Sequence, residues 1–180
     1  MATIKRIFPL FFILFITQAV LSQEMINPVI KGYGGIFDAP HATEKPDPNM
    51  EYKVIIDVVT GDSKVDEPFY SIVNVARLMN LHGMGGVKKE NMKIVLAVHG
   101  GAVWSVIDNE KYKEKYGIDN PHAPLFKELH EAGVKVVVCS QSMMGRKIDH
   151  TKLLPGIETA TSMLTTMTTY QLKGYAALKF

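Results

Sequence analysis

Apolar residues fall along this chain in short runs set off by turn residues. Residues 52–60 (YKVIIDVVT), 92–99 (MKIVLAVH) and 134–139 (VKVVVC) are near-continuous apolar runs rich in Val and Ile. That is the pattern of strands covered on both faces in a parallel sheet. Between the first two runs the period becomes helical. Phe69, Ile72, Val73, Ala76 and Met79 recur at helical spacing, which predicts a helix with one apolar face. Asp66 stands as its N-cap, Pro68 sits in its first turn, and Gly83 closes it. Pro121 opens a second predicted helix, carrying Leu125, Phe126 and Leu129 and ending at Gly133. Residues 103–120 give a weaker pattern: a short helix around Trp104, Val106 and Ile107, then an exposed charged turn over 109–115. After Cys139 the pattern predicts a short helix over 142–149 with a basic tail, Arg146-Lys147. A turn at 153–156 and a short strand over 157–161 follow. Ser162 caps a helix to Leu172, and a last strand covers 175–180.

Five strands alternating with helices predict an α/β fold, a three-layer α/β/α sandwich with a mostly parallel five-stranded sheet. In such sheets ligands bind beyond the carboxyl ends of the strands. That rule selects Thr60, Asp62, His99, Gly100, Cys139, Ser140, Gln141, Thr161 and Ser162 as residues gathered on one edge.

Residues 23–50 break both periodicities. Pro28, Gly32, Gly34, Gly35, Pro40, Pro46 and Pro48 give turn chemistry with few apolar residues. The stretch reads either as an irregular arm pinned by Ile30, Tyr33, Ile36 and Phe37 or as a disordered linker. The domain proper is expected over 51–180. Before the arm, Lys5 and Arg6 precede an apolar run over 7–21, and small Ser22 follows. This is the basic, apolar and small-residue order of an export signal over 1–22, with cleavage near Ser22-Gln23. The run is broken by Pro9, Thr17 and Gln18 and falls short of the ~20 apolar residues a spanning helix needs. An uncleaved anchor is the alternative. The expectation is a periplasmic or secreted protein with no stable membrane anchor after cleavage.

Charge changes the picture little. Without Lys5 and Arg6 the 20 basic residues fall to 18, against 18 acidic ones. Nucleic-acid binding is not expected, since it needs a basic surplus.

Cysteine usage changes it more. Cys139 is the single cysteine of the 180 residues, so no internal disulfide can form, and dithiol exchange through a Cys-x-x-Cys pair is excluded. Its place at the end of a strand, just before a helix, puts the sulfur where unpaired helix N–H groups stabilise a thiolate. A thiolate is a nucleophile and can carry a second sulfur as a persulfide. The alternative is a small buried hydrophobe. His99 is the candidate proton partner; otherwise it is a strand-end histidine satisfied by backbone. Gly100 lets the backbone turn tightly or approach a ligand. Ser140, Gln141 and Ser142 are candidate donors to a bound anion or persulfide, or simply helix caps. Met79, His82, Met84 and Met143-Met144 are soft donors of the kind that hold copper, but methionines at helical spacing are core filler. No metal and no cofactor are expected. Gly83-Met84-Gly85-Gly86 lacks nucleotide-binding spacing and reads as a loop.

Taken together, four stretches resemble the DsrE/DsrF-like family. They are Val98-His99-Gly100-Gly101, the strand ending Val138-Cys139 with Gln141-Ser142 after it, Leu153-Leu154-Pro155-Gly156, and Gln171-Leu172-Lys173-Gly174-Tyr175. The resemblance covers about residues 50–180. It implies a five-stranded α/β/α domain that assembles as an oligomer, here a homo-oligomer. In relatives that handle sulfur, a cysteine at the position of Cys139 receives and passes on sulfane sulfur. Ser140 departs from the family pattern, which has glycine there.

The expected function is therefore an exported sulfur-handling protein, a sulfurtransferase or sulfur carrier. Cys139 would take sulfane sulfur from a small donor and hand it to a thiol acceptor. The alternative is a non-catalytic small-ligand or scaffold domain with an inert cysteine. A third reading is a redox sensor acting through intermolecular disulfides.

Overall fold

The computed structural model describes residues 24–61 and 64–180. The export segment expected over 1–22 and the strand-end residue Asp62 lie outside the described residues. Five strands form one sheet: β1 (Tyr52–Val58), β2 (Met92–Val98), β3 (Lys135–Cys139), β4 (Ile157–Ala160) and β5 (Ala176–Lys179). Their order is β4-β3-β2-β1-β5, and every neighbouring pair is parallel. The five-stranded α/β sheet expected from the apolar runs is thus present, with no antiparallel member. Among the described residues five α-helices accompany it: α1 (Tyr70–Met84), α2 (Asn109–Tyr116), α3 (Ala123–Glu131), α4 (Ser140–Gly145) and α5 (Met163–Leu172).

Alternation along the strands sorts the side chains into two clusters. Val54, Ile56 and Val58, Ile94, Leu96 and Val98, and Val136 and Val138 point to one face. There they meet Ile72, Val75 and Met79 of α1 and Leu125, Phe126 and Leu129 of α3. Ile55, Val95, Ala97, Val137 and Cys139 point to the other face. They meet Met163 of α5, with Met167 and Tyr170 partly buried beside them. The first face has a thick cover and the second a thin one.

Several boundaries differ from the sequence pattern, each for a local reason. α1 starts at Tyr70 rather than near Asp66, because Phe69 is extended and its N–H donates to the His122 ring at 3.1 Å. A buried histidine replaces the expected acidic cap. The helix then runs past Gly83, where a Cβ would lie 2.4 Å from Val29; this glycine makes room for the arm rather than ending the helix. α3 starts at Ala123, two residues after Pro121, because Asn120 first turns the chain by accepting the His122 N–H at 2.9 Å. α4 starts at Ser140, directly after Cys139, and not at Ser142.

One side chain of α1 gathers four backbone groups of the arm. Asn80 of α1 is fully buried, and its Oδ1 accepts the N–H groups of Val29 and Ile30 at 2.9 and 2.8 Å. Its Nδ2 donates to the carbonyls of Tyr33 and Gly34, both at 3.0 Å. Ile30 and Ile36 are buried, whereas Phe37 is exposed.

Candidate functional site

All five strands run the same way, so their carboxyl ends share one edge. The three chemistry-bearing side chains of that edge lie on the thinly covered face. Val58, Val98 and Val138 are in register across β1, β2 and β3. Stepping one residue on along β2 and β3 brings His99 and Cys139 to neighbouring positions on the α5 side. Stepping one back along β1 brings Asp57 to the same side.

Cys139 closes β3 and is 4% exposed, packed with Ile55, Val95, Ala97, Val137 and Met163. Its surroundings are not purely apolar. The Met163 N–H, at the first position of α5, donates to Sγ at 3.3 Å. The first-turn N–H groups of α4 make no capping bond of ordinary geometry to the sulfur. Even so, those of Ser142 and Gln141, with the Ser142 hydroxyl, act on its charge. Burial pushes the thiol up. The Ser142 hydroxyl, the Met163 N–H and the N–H groups of Ser142 and Gln141 outweigh it, and the thiol lies below its ordinary value of 9.0. The sulfur thus sits between the starts of two helices.

Ser142 and Gly100 form the next link. The Gly100 N–H donates to Ser142 Oγ at 3.1 Å, which leaves the hydroxyl proton for the sulfur. Gly100 has φ +57°, and a Cβ there would lie 2.5 Å from the Val59 carbonyl oxygen. Glycine is therefore required by both conformation and close approach. Its N–H is occupied by Ser142, so Gly100 shapes the site and does not offer a free donor. Ser140 is half-buried in the first turn of α4, and the Gln141 side chain is exposed at the rim.

His99 does not bond the sulfur. Its Nε2 lies 2.6 Å from Asp57 Oδ1, so the ring leans toward β1, away from β3. The side chains of His99 and Asp57 keep 23% and 20% exposure. Asp57 lies outside the strand-end set that the sequence selects. Its signal was a carboxylate inside an apolar run, in phase with the residues of β1 that face α5. The Met163 N–H was also missed, since a backbone donor carries no residue signature; the Ser162 cap marked only the helix start. Ser162 does cap α5, accepting the Leu164 N–H at 3.2 Å.

A cavity of about 710 Å³ lies beside α3 and is lined by residues such as Phe126, His130 and Leu154. None of its lining residues belongs to the Cys139 cluster. Among the described residues no three His, Cys, Asp or Glu side chains are grouped to hold a metal ion. Nor is any helix among them long and apolar enough to cross a membrane.

The DsrE/DsrF-like family model matches residues 53–180. No curated protein matches the chain. The fold is similar to that of MTH1491, a protein of unknown function from Methanobacterium thermoautotrophicum, at 18% identity and a TM-score of 0.55. It is also similar to the ychN protein from E. coli, at 20% identity and a TM-score of 0.54. Each match covers 72% of this chain and 99% of the other. At such identities the likeness speaks for the fold alone.

Proposed function

The chain belongs to the DsrE/DsrF-like family, and on that premise we propose that it is a sulfur-handling protein in which Cys139 carries sulfane sulfur as a persulfide. The observation that carries this reading is the Met163 N–H donated to the sulfur at 3.3 Å, with the Ser142 hydroxyl and the first-turn N–H groups of α4 favouring its charged form. Such donors favour the thiolate over the thiol, and the thiolate is the reactive form. The thiolate attacks the outer sulfur of a small donor, and the donor's S–S bond breaks. An acceptor thiolate later attacks the outer sulfur of the Cys139 persulfide and releases the Cys139 thiolate. The 4% exposure of Cys139 favours a small donor such as a persulfide or polysulfide over a protein-sized one. In the same reading the protein is exported, on the strength of Lys5-Arg6 and the apolar run over 7–21. It also self-associates, as the family resemblance implies.

The test is to incubate the purified protein with polysulfide and weigh it intact. The expected result is a gain of one sulfur that a thiol acceptor removes and that Cys139→Ala does not show. No gain, or a gain that persists in Cys139→Ala, rules the reading out.

A second reading rests on the same burial: Cys139 packs with Ile55, Val95 and Val137, as an inert wall of a non-catalytic scaffold would. Slow reaction of the folded protein with a thiol reagent, released only on unfolding, would favour it.

A further inference from the structure

We propose that Asp57 and His99 form a proton-handling pair for sulfur exchange at Cys139, with His99 the catalytic residue and Asp57 its positioning residue. The inference rests on the Cys139 reading and deepens it.

Three observations carry it. First, the pair lies where it can serve the sulfur. Val98 and Val138 are in register, so His99 and Cys139 are neighbours across β2 and β3, on strands ~4.8 Å apart and on the same face. The bond from the Gly100 N–H to Ser142 Oγ ties the ends of these two strands together. Second, Asp57 fixes the proton on one ring nitrogen. Its Oδ1 lies 2.6 Å from Nε2, and a carboxylate there accepts the Nε2–H, which leaves the lone pair on Nδ1. Third, Nδ1 is left over. Asp57 is the one hydrogen-bond partner of the His99 ring among the described residues, and the side chain keeps 23% exposure. His122, on the other face, differs in kind. Its Nε2 takes the Phe69 N–H, its Nδ1 meets Asn120 Oδ1 at 2.8 Å, and the residue is fully buried. His122 is held with both nitrogens engaged. His99 has one nitrogen anchored and the other without a protein partner, on the strand next to that of the sulfur. Lys179, opposite Asp57 on β5, is exposed and does not compete for the bond at 2.6 Å.

The exchange then balances without an external oxidant or reductant. The Cys139 thiolate attacks the outer sulfur of a donor R–S–SH. A new S–S bond forms at Cys139, the donor S–S bond breaks, and its electron pair leaves on R–S⁻. The proton that began on the outer sulfur passes through Nδ1 to R–S⁻. The net change is Cys139–S⁻ plus R–S–SH giving Cys139–S–S⁻ plus R–SH.

The test uses the full chain with glutathione persulfide as donor and compares wild type, His99→Gln and Asp57→Asn. Persulfide loading of Cys139 is timed by intact mass, and alkylation by iodoacetamide is timed beside it. Alkylation expels iodide, which needs no proton, so it separates proton handling from access to the sulfur. Loading is expected to slow about 100-fold in His99→Gln, the lower end of general acid–base effects, and about 10-fold in Asp57→Asn, which acts through the ring. Alkylation should change by less than about threefold in both. The ¹⁵N shifts of the His99 ring in wild type should place the proton on Nε2, and Asp57→Asn should redistribute it. Loading at the wild-type rate in both variants overturns the proposal and leaves a strap between β1 and β2. Should a variant fail to fold, a wild-type spectrum with the proton on Nδ1 overturns it equally. A wild type that takes up no sulfur sinks the Cys139 reading itself, which is a separate outcome.

Discussion

The two faces of the sheet are made by the same strands and hold their polar groups differently. On the α1 and α3 side, the buried polar side chains Asn80, Ser105, Asn120 and His122 are closed, while on half-buried residues of α1 only Ser71 Oγ and His82 Nδ1 among the described atoms lack a partner. Asn80 bonds the arm, Asn120 donates to the carbonyls of Ser105 and Ile107 at 2.8 and 2.6 Å, and both nitrogens of His122 are engaged. On the α5 side, Asp57 and His99 keep partial exposure, and Cys139 faces donors that favour its charged form. A buried polar group with every partner in place stabilises a unique core. One with spare capacity beside solvent is available for chemistry. The contrast teaches that the thin cover over the second face is what leaves its polar groups with spare capacity.

The largest effect that can test this contrast is acid sensitivity. Burial pushes the His122 imidazole down to about 3 from an ordinary 6.5. Between those values the unfolded chain holds a proton that the folded chain refuses. The contribution of His122 is therefore fully present above about 6.5 and is lost as pH falls toward about 3. The slope is about 1.4 kcal/mol per pH unit, up to roughly 5 kcal/mol in all. Urea unfolding across this window should show the slope in wild type and a flatter one in His122→Gln. Parallel curves would remove His122 from the account.

Next in size is a matched pair of core truncations. Leu96 and Ile55 are both fully buried, on opposite faces. Leu96→Ala should cost about 4 kcal/mol and Ile55→Ala about 2.5, since a layer of one helix settles into a cavity more easily than a sealed one. Equal losses in chemical denaturation would mean that the faces do not differ in plasticity.

The arm comes third. Asn80→Leu removes the anchor of Val29, Ile30, Tyr33 and Gly34. It should cost roughly 2–3 kcal/mol, because it leaves those backbone groups unpaired. Limited proteolysis should then cut near Lys31 in the variant before the domain is cut. The smallest effect belongs to the ion pair of Lys135 and Glu158 at 2.6 Å, which joins β3 to β4 with both side chains well exposed. Glu158→Gln should change stability by less than about 0.5 kcal/mol.

Much of this architecture was legible in residue order. The β-branched runs marked β1, β2 and β3, and their continuity announced a parallel sheet with both faces covered. The strand-end rule led to His99, Gly100 and Cys139. What stayed hidden depended on neighbours distant in sequence. Nothing near Phe69 announces that His122 will take its N–H, so the sequence pattern starts α1 too early. Gly83 reads as a helix stop until Val29 is seen against it. Asp57 carries no motif, and its meaning lies in a ring 42 residues away. The thiol environment was half legible: a helix start after Cys139 could be read, whereas the second helix start, at Met163, came from the fold.

The most direct measurement is the pH dependence of Cys139 alkylation in the native protein and in Ser142→Ala. The account predicts a thiolate that forms with a midpoint below the ordinary 9.0 and moves upward when the Ser142 hydroxyl is removed. A midpoint at or above 9.0, unmoved by Ser142→Ala, would contradict it.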